Sequence, residues 1–171
     1  MSDLGPLLPL ARAIVESCTA KGLLVVTAES CTGGLIAGTL TEIPGSSAIV
    51  DRGFVTYSNE AKSEMLGVPK VLIRAHGAVS RAVAVAMAEG AIRASRAHLA
   101  VAVTGVAGPG GGSEDKPVGT VHFALARRGS HAHHIVRNFG DIGRSEVRLA
   151  TVRTALELIA AAVAATSAAS G

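Results

Sequence analysis

The stretch Leu23-Leu24-Val25-Val26-Thr27-Ala28-Glu29-Ser30-Cys31-Thr32-Gly33-Gly34, continued by residues 35–40, decides the fold. It begins with a short, continuously apolar and mostly branched run, which is typical of a buried strand. The two glycines then indicate a tight turn, and the apolar residues after them predict the start of a helix. A buried strand that turns directly into a helix is characteristic of α/β proteins.

The rest of the chain continues this alternation of strands and helices. Leu99 to Thr104 has the pattern of another buried strand and runs into the glycine-rich segment Gly105 to Gly112. Further strands are predicted at Ala48 to Tyr57 and, paired as a hairpin, at Val118 to Ala126 and Ala132 to Asn138. Helices are predicted over residues 5–20, 59–66, 80–95 and 145–165, with a frayed tail at Ser167 to Gly171. We therefore expect an α/β fold with a single domain over residues 1–171, built as an α/β/α sandwich around a mixed sheet.

Composition narrows the class of function. Aromatic residues make up only 2% of the 171 residues, which argues against single-stranded nucleic-acid binding, and the net charge of +3 is scattered rather than clustered. A small anionic ligand fits that balance better than nucleic acid does.

No apolar run is long enough to span a membrane and no leader pattern precedes the first helix, so we expect a cytoplasmic protein. Cys18 and Cys31 are too few for a disulfide framework or a zinc site, although the two could form one bridge.

Ser30 is the first candidate for chemistry because it directly follows a buried strand. In open α/β sheets ligands bind at the carboxyl ends of strands, where the N-terminus of the next helix offers unpaired backbone N–H groups. Gly33 and Gly34 would let a substrate approach that backbone while Ser30 attacks and the N–H groups hold an oxyanion. By itself, the local pattern favours the simpler interpretation that Ser30 or Thr32 only caps the helix. Cys31 is a rival nucleophile, but strand alternation predicts that its side chain points away from that of Ser30.

Tyr57 and Lys62 form the second candidate. Tyr57 ends a predicted strand and Lys62 lies one turn into the next helix, so both could reach the same crevice at the strand ends. A lysine acts as a general base only if burial or a cationic neighbour lowers its pKa well below the usual value of about 10.4. In isolation, a solvated lysine on a short helix is the more common interpretation.

The glycine-rich segment Thr104 to Ser113 is the third candidate. It matches neither a Walker A loop nor a dinucleotide-binding fingerprint, yet its backbone N–H groups could cradle a phosphate. Lys116 and Arg144 are the cations best placed to join it, and a plain flexible loop fits the composition equally well.

Elsewhere, His131, His133 and His134 invite a metal interpretation, but no Cys or carboxylate is spaced to complete a ligand set. We therefore expect no metal and no cofactor.

Four segments in this order resemble one bacterial family: Ala28 to Gly34, Gly53 to Lys62, Thr104 to Ser113, and Lys116 to Thr120. It is the C-terminal domain family of the competence/damage-inducible proteins, and the similarity runs from about Leu7 to Ala162. The stand-alone members are nicotinamide-nucleotide amidases. The resemblance therefore implies hydrolysis of nicotinamide mononucleotide to nicotinate mononucleotide and ammonia, without a metal, by a homodimer or a larger homo-oligomer.

The resemblance also implies roles for particular residues. The nucleophile is the serine of the first segment, Ser30, and the supporting residues are Tyr57 and Lys62. Where the family often has Gly-Asp-Arg before its last helix, this chain inserts two residues, Ile142 and Gly143, ahead of Arg144. The expected substrate-binding residues are Thr32, Gly33, Gly34, Thr104, Gly105, Gly108, Gly110, Lys116 and Arg144.

The residues and the resemblance together predict a mechanism. Ser30 attacks the carboxamide carbon while Lys62 takes the hydroxyl proton, either directly or through Tyr57. Backbone N–H groups near Ser30 and Gly33 hold the oxyanion, and the phosphate binds the loop Gly105 to Gly112. Two alternatives stay open at this point: a non-catalytic nucleotide-binding module of the same fold, and a hydrolase of phosphate esters.

Overall fold

The computed structural model describes residues 3–167, in which five strands form one mixed sheet in the order β2-β1-β3-β4-β5. β1 lies between β2 and β3 and is parallel to both, whereas β4 and β5 continue the sheet as an antiparallel hairpin. This confirms the predicted mixed sheet. The predicted frayed tail falls outside the described residues, apart from Ser167. The strands are β1 Val25–Glu29, β2 Val50–Val55, β3 Leu99–Gly105, β4 Thr120–Arg127 and β5 His133–Asn138.

Helices cover both faces of this sheet, which confirms the α/β/α sandwich. In the described part of the chain they are α1 Leu8–Lys21, α2 Leu35–Thr41, α3 Asn59–Leu66, α4 Lys70–His76, α5 Arg81–Arg93 and α6 Arg144–Ala164, with short 3-10 turns at Gly5–Leu7 and Ser46–Ala48. The buried side chains of α1, α2 and α6 form one core, and those of α3, α4 and α5 form the other. None of the described helices is long and apolar enough to cross a membrane.

The alternating sequence of β3 explains why the two faces differ. Leu99, Val101 and Val103 point into the core beneath α1 and α6, while Ala100 and Ala102 face α5. Because a strand between two neighbours buries both of its faces, such a strand can be continuously apolar. The small alanines on one face leave room for α5 to pack directly on the sheet.

Several boundaries differ from the sequence-based prediction. β1 begins two residues later and extends to Glu29, because the Leu23 N–H group bonds to the end of α1 and the Leu24 N–H group bonds to Nδ1 of His98. β2 is shorter than predicted at both ends. No helix was predicted at α4, because seven residues flanked by Pro69 and Gly77 are too few for a periodic pattern to stand out.

The order of the strands creates a crevice. α2, which follows β1, lies on one face of the sheet, and α3 to α5, which follow the adjacent β2, lie on the other. Where the chain leaves neighbouring strands toward opposite faces, a gap opens beyond their carboxyl ends, and ligands of α/β proteins bind there. The ends of β1 and β2 carry Ser30 and Tyr57.

Candidate active site

A cleft of about 290 Å³ lies at this edge of the sheet, beyond the carboxyl ends of β1, β2 and β3. Three of the four resembling segments contribute to it, although they are far apart in the sequence. Its lining residues are Ser30, Cys31, Tyr57, Asn59, Lys62, Ala78, Val79, the loop positions 104–108, 110 and 111, and Arg144.

Ser30 and Lys62 meet at the bottom of this cleft. Nζ of Lys62 lies 3.1 Å from Oγ of Ser30, and it also donates to the carbonyl oxygens of Thr56 at 2.9 Å and Tyr57 at 3.4 Å. The lysine is 1% exposed and the serine 9%. This contact joins residues 32 positions apart and places a basic nitrogen on a hydroxyl, which is the geometry of an activated serine nucleophile.

The electrostatics of Lys62 suit a general base. Burial lowers the pKa of its ammonium group, because removing a charge from water disfavours the charged form. No carboxylate among the described residues pairs with Lys62. The ion pairs in this part of the chain are those of Asp51 with Arg52 and Arg96. Both features favour the neutral amine, which can accept a proton.

Cys31 contributes to the lining of the cleft, and it is also part of the buried core beneath α1, α2 and α6. Burial raises the pKa of its thiol to about 12. Since the thiolate is the reactive form of cysteine, this position disfavours Cys31 as the nucleophile. Both Cys31 and Cys18 are free thiols, so the bridge that was left open is not formed.

A buried carboxylate organises the turn that carries Ser30. Glu29 is fully buried and accepts hydrogen bonds from the backbone N–H groups of Ile36 and Ala37, at 2.8 and 3.0 Å. It also accepts from the hydroxyls of Thr32, at 2.7 Å, and Thr27, at 3.2 Å. A carboxylate on the first N–H groups of a helix satisfies donors that the helix leaves unpaired. Glu29 therefore caps α2 from within the sheet.

This role of Glu29 was not predicted from the sequence. Helix capping was expected from Ser30 or Thr32, because serine and threonine are frequent caps. One indication was available, namely a lone charge at the end of an otherwise apolar buried strand. Such a charge is costly to bury unless several donors surround it.

The backbone N–H groups of the turn differ from those predicted to hold an oxyanion. The N–H of Ser30 donates to the carbonyl of Val103, and that of Gly33 donates to the carbonyl of Ser30. Both are thus occupied within the fold. Within residues 3–167, the N–H groups of Cys31 and Thr32 donate to no acceptor. Cys31 lines the cleft, whereas Thr32 is fully buried and lies outside the lining, so the Cys31 N–H group is the better candidate for an oxyanion donor.

Arg144 and Tyr57 lie together at the mouth of the cleft. The Arg144 guanidinium donates to the carbonyl of Gly108 at 2.8 Å and to the Tyr57 hydroxyl at 3.0 Å. Despite the two inserted residues, Arg144 therefore reaches the cleft from the first position of α6. Tyr57 contacts Lys62 through its backbone carbonyl and not through its hydroxyl. Lys62 contacts Ser30 directly, so the Tyr57 hydroxyl does not lie between them.

The remaining predicted binding residues fall into two groups. Gly105, Gly108 and Gly110 line the cleft, as does Thr104, whose hydroxyl donates to the carbonyl of Ala78 at 2.9 Å. The others lie outside the lining. The Thr32 hydroxyl is held by Glu29, and the Lys116 ammonium donates to the carbonyl of His76 at 2.7 Å. Gly33 and Gly34 form the bend before α2, with φ angles of 59° and 100° that favour glycine.

Metal-ligating side chains do not gather in the described part of the chain. No group of three or more His, Cys, Asp or Glu residues there could hold a metal ion. His122 and His134 approach each other across β4 and β5, with Nδ1 and Nε2 2.9 Å apart.

The fold and cleft define a class: an α/β sandwich with a serine and a buried lysine in contact at the strand ends. The family model described as the CinA C-terminal domain matches residues 7–163, so the chain belongs to this family. A solved structure titled competence/damage inducible protein CihA, from Agrobacterium tumefaciens, superposes with a TM-score of 0.90 at 60% identity, covering 94% of this chain and 96% of the other. The resemblance seen in the sequence is thereby confirmed.

Two curated relatives place the family in context. Nicotinamide-nucleotide amidohydrolase PncC from Escherichia coli (strain K12) is 56% identical over 120 residues, which cover 70% of this chain and 73% of the relative. A putative competence-damage inducible protein from Symbiobacterium thermophilum is 58% identical over 120 residues. There the match covers 70% of this chain but only 28% of the relative, which is therefore much longer than this chain.

Proposed function

We propose that this chain is an amidohydrolase that converts nicotinamide mononucleotide to nicotinate mononucleotide and ammonia. The observation that carries the proposal is the 3.1 Å contact between Nζ of Lys62 and Oγ of Ser30 in a buried cleft without a carboxylate partner for the lysine. The printed name of the Escherichia coli relative supports the choice of a nicotinamide nucleotide as substrate.

In the proposed first half-reaction, neutral Lys62 takes the proton of the Ser30 hydroxyl as the oxygen attacks the carboxamide carbon. The resulting oxyanion accepts a hydrogen bond from the free N–H group of Cys31. Lys62, now an ammonium, gives its proton to the amide nitrogen. The C–N bond breaks, ammonia leaves, and an ester joins Ser30 to the nicotinoyl group.

In the second half-reaction, water takes the place of ammonia. Lys62 again accepts a proton as the water oxygen attacks the ester carbon, and it returns that proton to Oγ of Ser30 when the ester bond breaks. The products are nicotinate mononucleotide and the original enzyme. One residue therefore serves as base and acid in both halves, which requires a pKa closer to neutrality than that of an exposed lysine.

The rest of the cleft fits a phosphorylated substrate. Arg144 presents a cation at the cleft mouth, where it faces the carbonyl of Gly108 and the hydroxyl of Tyr57 rather than a carboxylate. A phosphate could replace those neutral acceptors and form stronger, charge-assisted hydrogen bonds. Backbone N–H groups around Gly108 and Gly110 would add further donors. We therefore propose that the phosphate lies between Arg144 and this loop.

The experiment is an ammonia-release assay over nicotinamide, its riboside and its mononucleotide. Ser30→Ala should abolish release, while Cys31→Ala should retain it because the backbone N–H group at position 31 remains. Near wild-type release by Ser30→Ala would refute the nucleophile. Thermal stabilisation by the mononucleotide without any ammonia would instead indicate a nucleotide-binding module, and release of phosphate would indicate an ester hydrolase. Assembly into a homodimer or a larger oligomer stays a prediction.

A further inference from the structure

We infer that Arg148 is a positioning residue that fixes the backbone of the nucleophile turn, residues 30–34, and so keeps Ser30 and the Cys31 N–H group in place. This inference rests on the proposed role of Ser30. No role was predicted for Arg148 from the sequence. It lies one helical turn beyond Arg144 on α6, so both arginines extend from the same face of the helix.

The contacts of Arg148 are made to the backbone of the turn. Its Nε donates to the carbonyl of Cys31 at 3.1 Å, and its Nη2 donates to the carbonyl of Thr32 at 3.0 Å. The guanidinium passes beside Gly33, where an added Cβ would lie 3.5 Å from Nη2. Its planar, forked donors thus bridge two consecutive peptide groups, an arrangement that a lysine cannot reproduce.

The effect on the N–H groups follows from peptide geometry. In a planar trans peptide, the C=O and N–H bonds point in opposite directions. By holding the carbonyl of Cys31, Arg148 therefore directs the N–H of Thr32 away from α6. By holding the carbonyl of Thr32, it directs the N–H of Gly33 away as well, toward its observed acceptor, the Ser30 carbonyl. Arg148 thus fixes the two peptide groups that follow the Cys31 N–H group, which is the proposed oxyanion donor.

Glu29 cannot replace Arg148 in this function, because a carboxylate accepts hydrogen bonds and cannot donate to a carbonyl. Glu29 accepts from the Thr32 hydroxyl and from the N–H groups of Ile36 and Ala37. The Cys31 carbonyl, by contrast, has Arg148 as its hydrogen-bond donor within the described residues. Without that donor, the peptide group between Cys31 and Thr32 could rotate, and Cys31 with its N–H group would no longer be held in place.

The test compares Arg148→Met and Arg148→Lys with Arg153→Met, an exposed arginine on the same helix that serves as the control. Two readouts are needed: steady-state ammonia release from nicotinamide mononucleotide, and the rate at which a fluorophosphonate labels Ser30, followed by mass spectrometry. The second readout requires a reactive serine and oxyanion donors but no natural substrate. Thermal unfolding of each variant sets an assay temperature at which it is folded.

For Arg148→Met we expect kcat and the labelling rate to fall together, by up to about 100-fold, with KM little changed. Arg148→Lys should fall between this variant and the wild type, and the control should match the wild type. In Arg148→Ala, millimolar guanidinium should restore part of the labelling rate. Such rescue would not accompany a role in stability alone.

Three results would overturn the inference. The first is a folded Arg148→Met protein with wild-type kcat and labelling. The second is a change confined to KM, which would indicate that Arg148 contacts the bound ligand. The third is failure of both Arg148→Met and Arg148→Lys to fold, which would make the role structural. If the wild type is labelled but releases no ammonia, the proposed function fails while labelling still decides the role of Arg148. If the wild type is not labelled and releases no ammonia, both the role of Arg148 and the proposed function are overturned.

Discussion

Replacement of Lys62 by methionine tests the central feature of the cleft, because methionine has a similar length but cannot carry a charge. The wild-type lysine is 1% exposed and its nitrogen contacts two carbonyl oxygens and the Ser30 hydroxyl. If Lys62 is the general base, Lys62→Met should lose at least about 100-fold in kcat. Lys62→Arg should be nearly as inactive, because a guanidinium does not release its proton near neutral pH.

The same substitution should change how stability depends on pH. Burial lowers the pKa of Lys62 in the folded protein, whereas in the unfolded chain it is about 10.4. Between these two pKa values the unfolded chain binds one more proton than the folded protein. The free energy of unfolding of the wild type should therefore rise with pH, by up to about 1.4 kcal/mol per pH unit. Below the lowered pKa the full cost of burying the charge remains. Lys62→Met lacks this contribution at every pH.

The assay is urea unfolding of wild type and Lys62→Met from about pH 6 to about pH 10, alongside the pH profile of kcat/KM for the wild type. The difference in free energy should move in favour of the wild type as pH rises. That change should begin near the pH at which the wild-type rate rises, because both report the same titration. A difference that stays constant over the whole range would refute the lowered pKa. Substantial turnover by Lys62→Arg would make Lys62 an electrostatic anchor rather than the base.

Three further predictions concern other parts of the site. Glu29→Gln should lower the free energy of unfolding by about 1–3 kcal/mol, measured in urea, because its amide nitrogen would face donors instead of accepting from them. Arg144→Met should raise KM for the mononucleotide by roughly 10-fold or more and leave KM for the riboside nearly unchanged, because only the mononucleotide carries the phosphate. Equal effects on both substrates would contradict the phosphate assignment. Chelators should leave ammonia release unchanged, since no three metal-ligating side chains meet within residues 3–167; loss of release that a divalent ion restores would contradict this.

The sequence predicted the elements that position the site better than it predicted contacts within the site. A buried strand leading into a glycine turn is a local pattern, so the region from β1 to α2 could be recognised from adjacent residues. The segment carrying Tyr57 and Lys62 could be placed at the same edge of the sheet, because parallel strands end together. The 3.1 Å contact of Lys62 with Ser30 depends on the register of β1 and β2, which no local pattern specifies.

Backbone hydrogen bonds were the least predictable feature. The oxyanion donors were expected near Ser30 and Gly33, but these N–H groups are used by Val103 of the neighbouring strand and by the turn itself. Such pairings depend on how a strand on one side and α6 on the other approach the turn. Arg148 illustrates this, because its partners lie 116 and 117 residues earlier in the chain.

Two buried ionisable residues, Glu29 and Lys62, lie beside Ser30, and the fact that they do not pair with each other matters for the proposed chemistry. A carboxylate paired with Lys62 would stabilise the ammonium and raise its pKa, which would remove the base. Glu29 precedes Ser30 directly, but its oxygens are occupied by donors of the turn and of α2. Within the described residues, Lys62 in turn contacts only neutral oxygens. The fold thus satisfies the buried carboxylate through other donors and keeps it from pairing with the buried lysine.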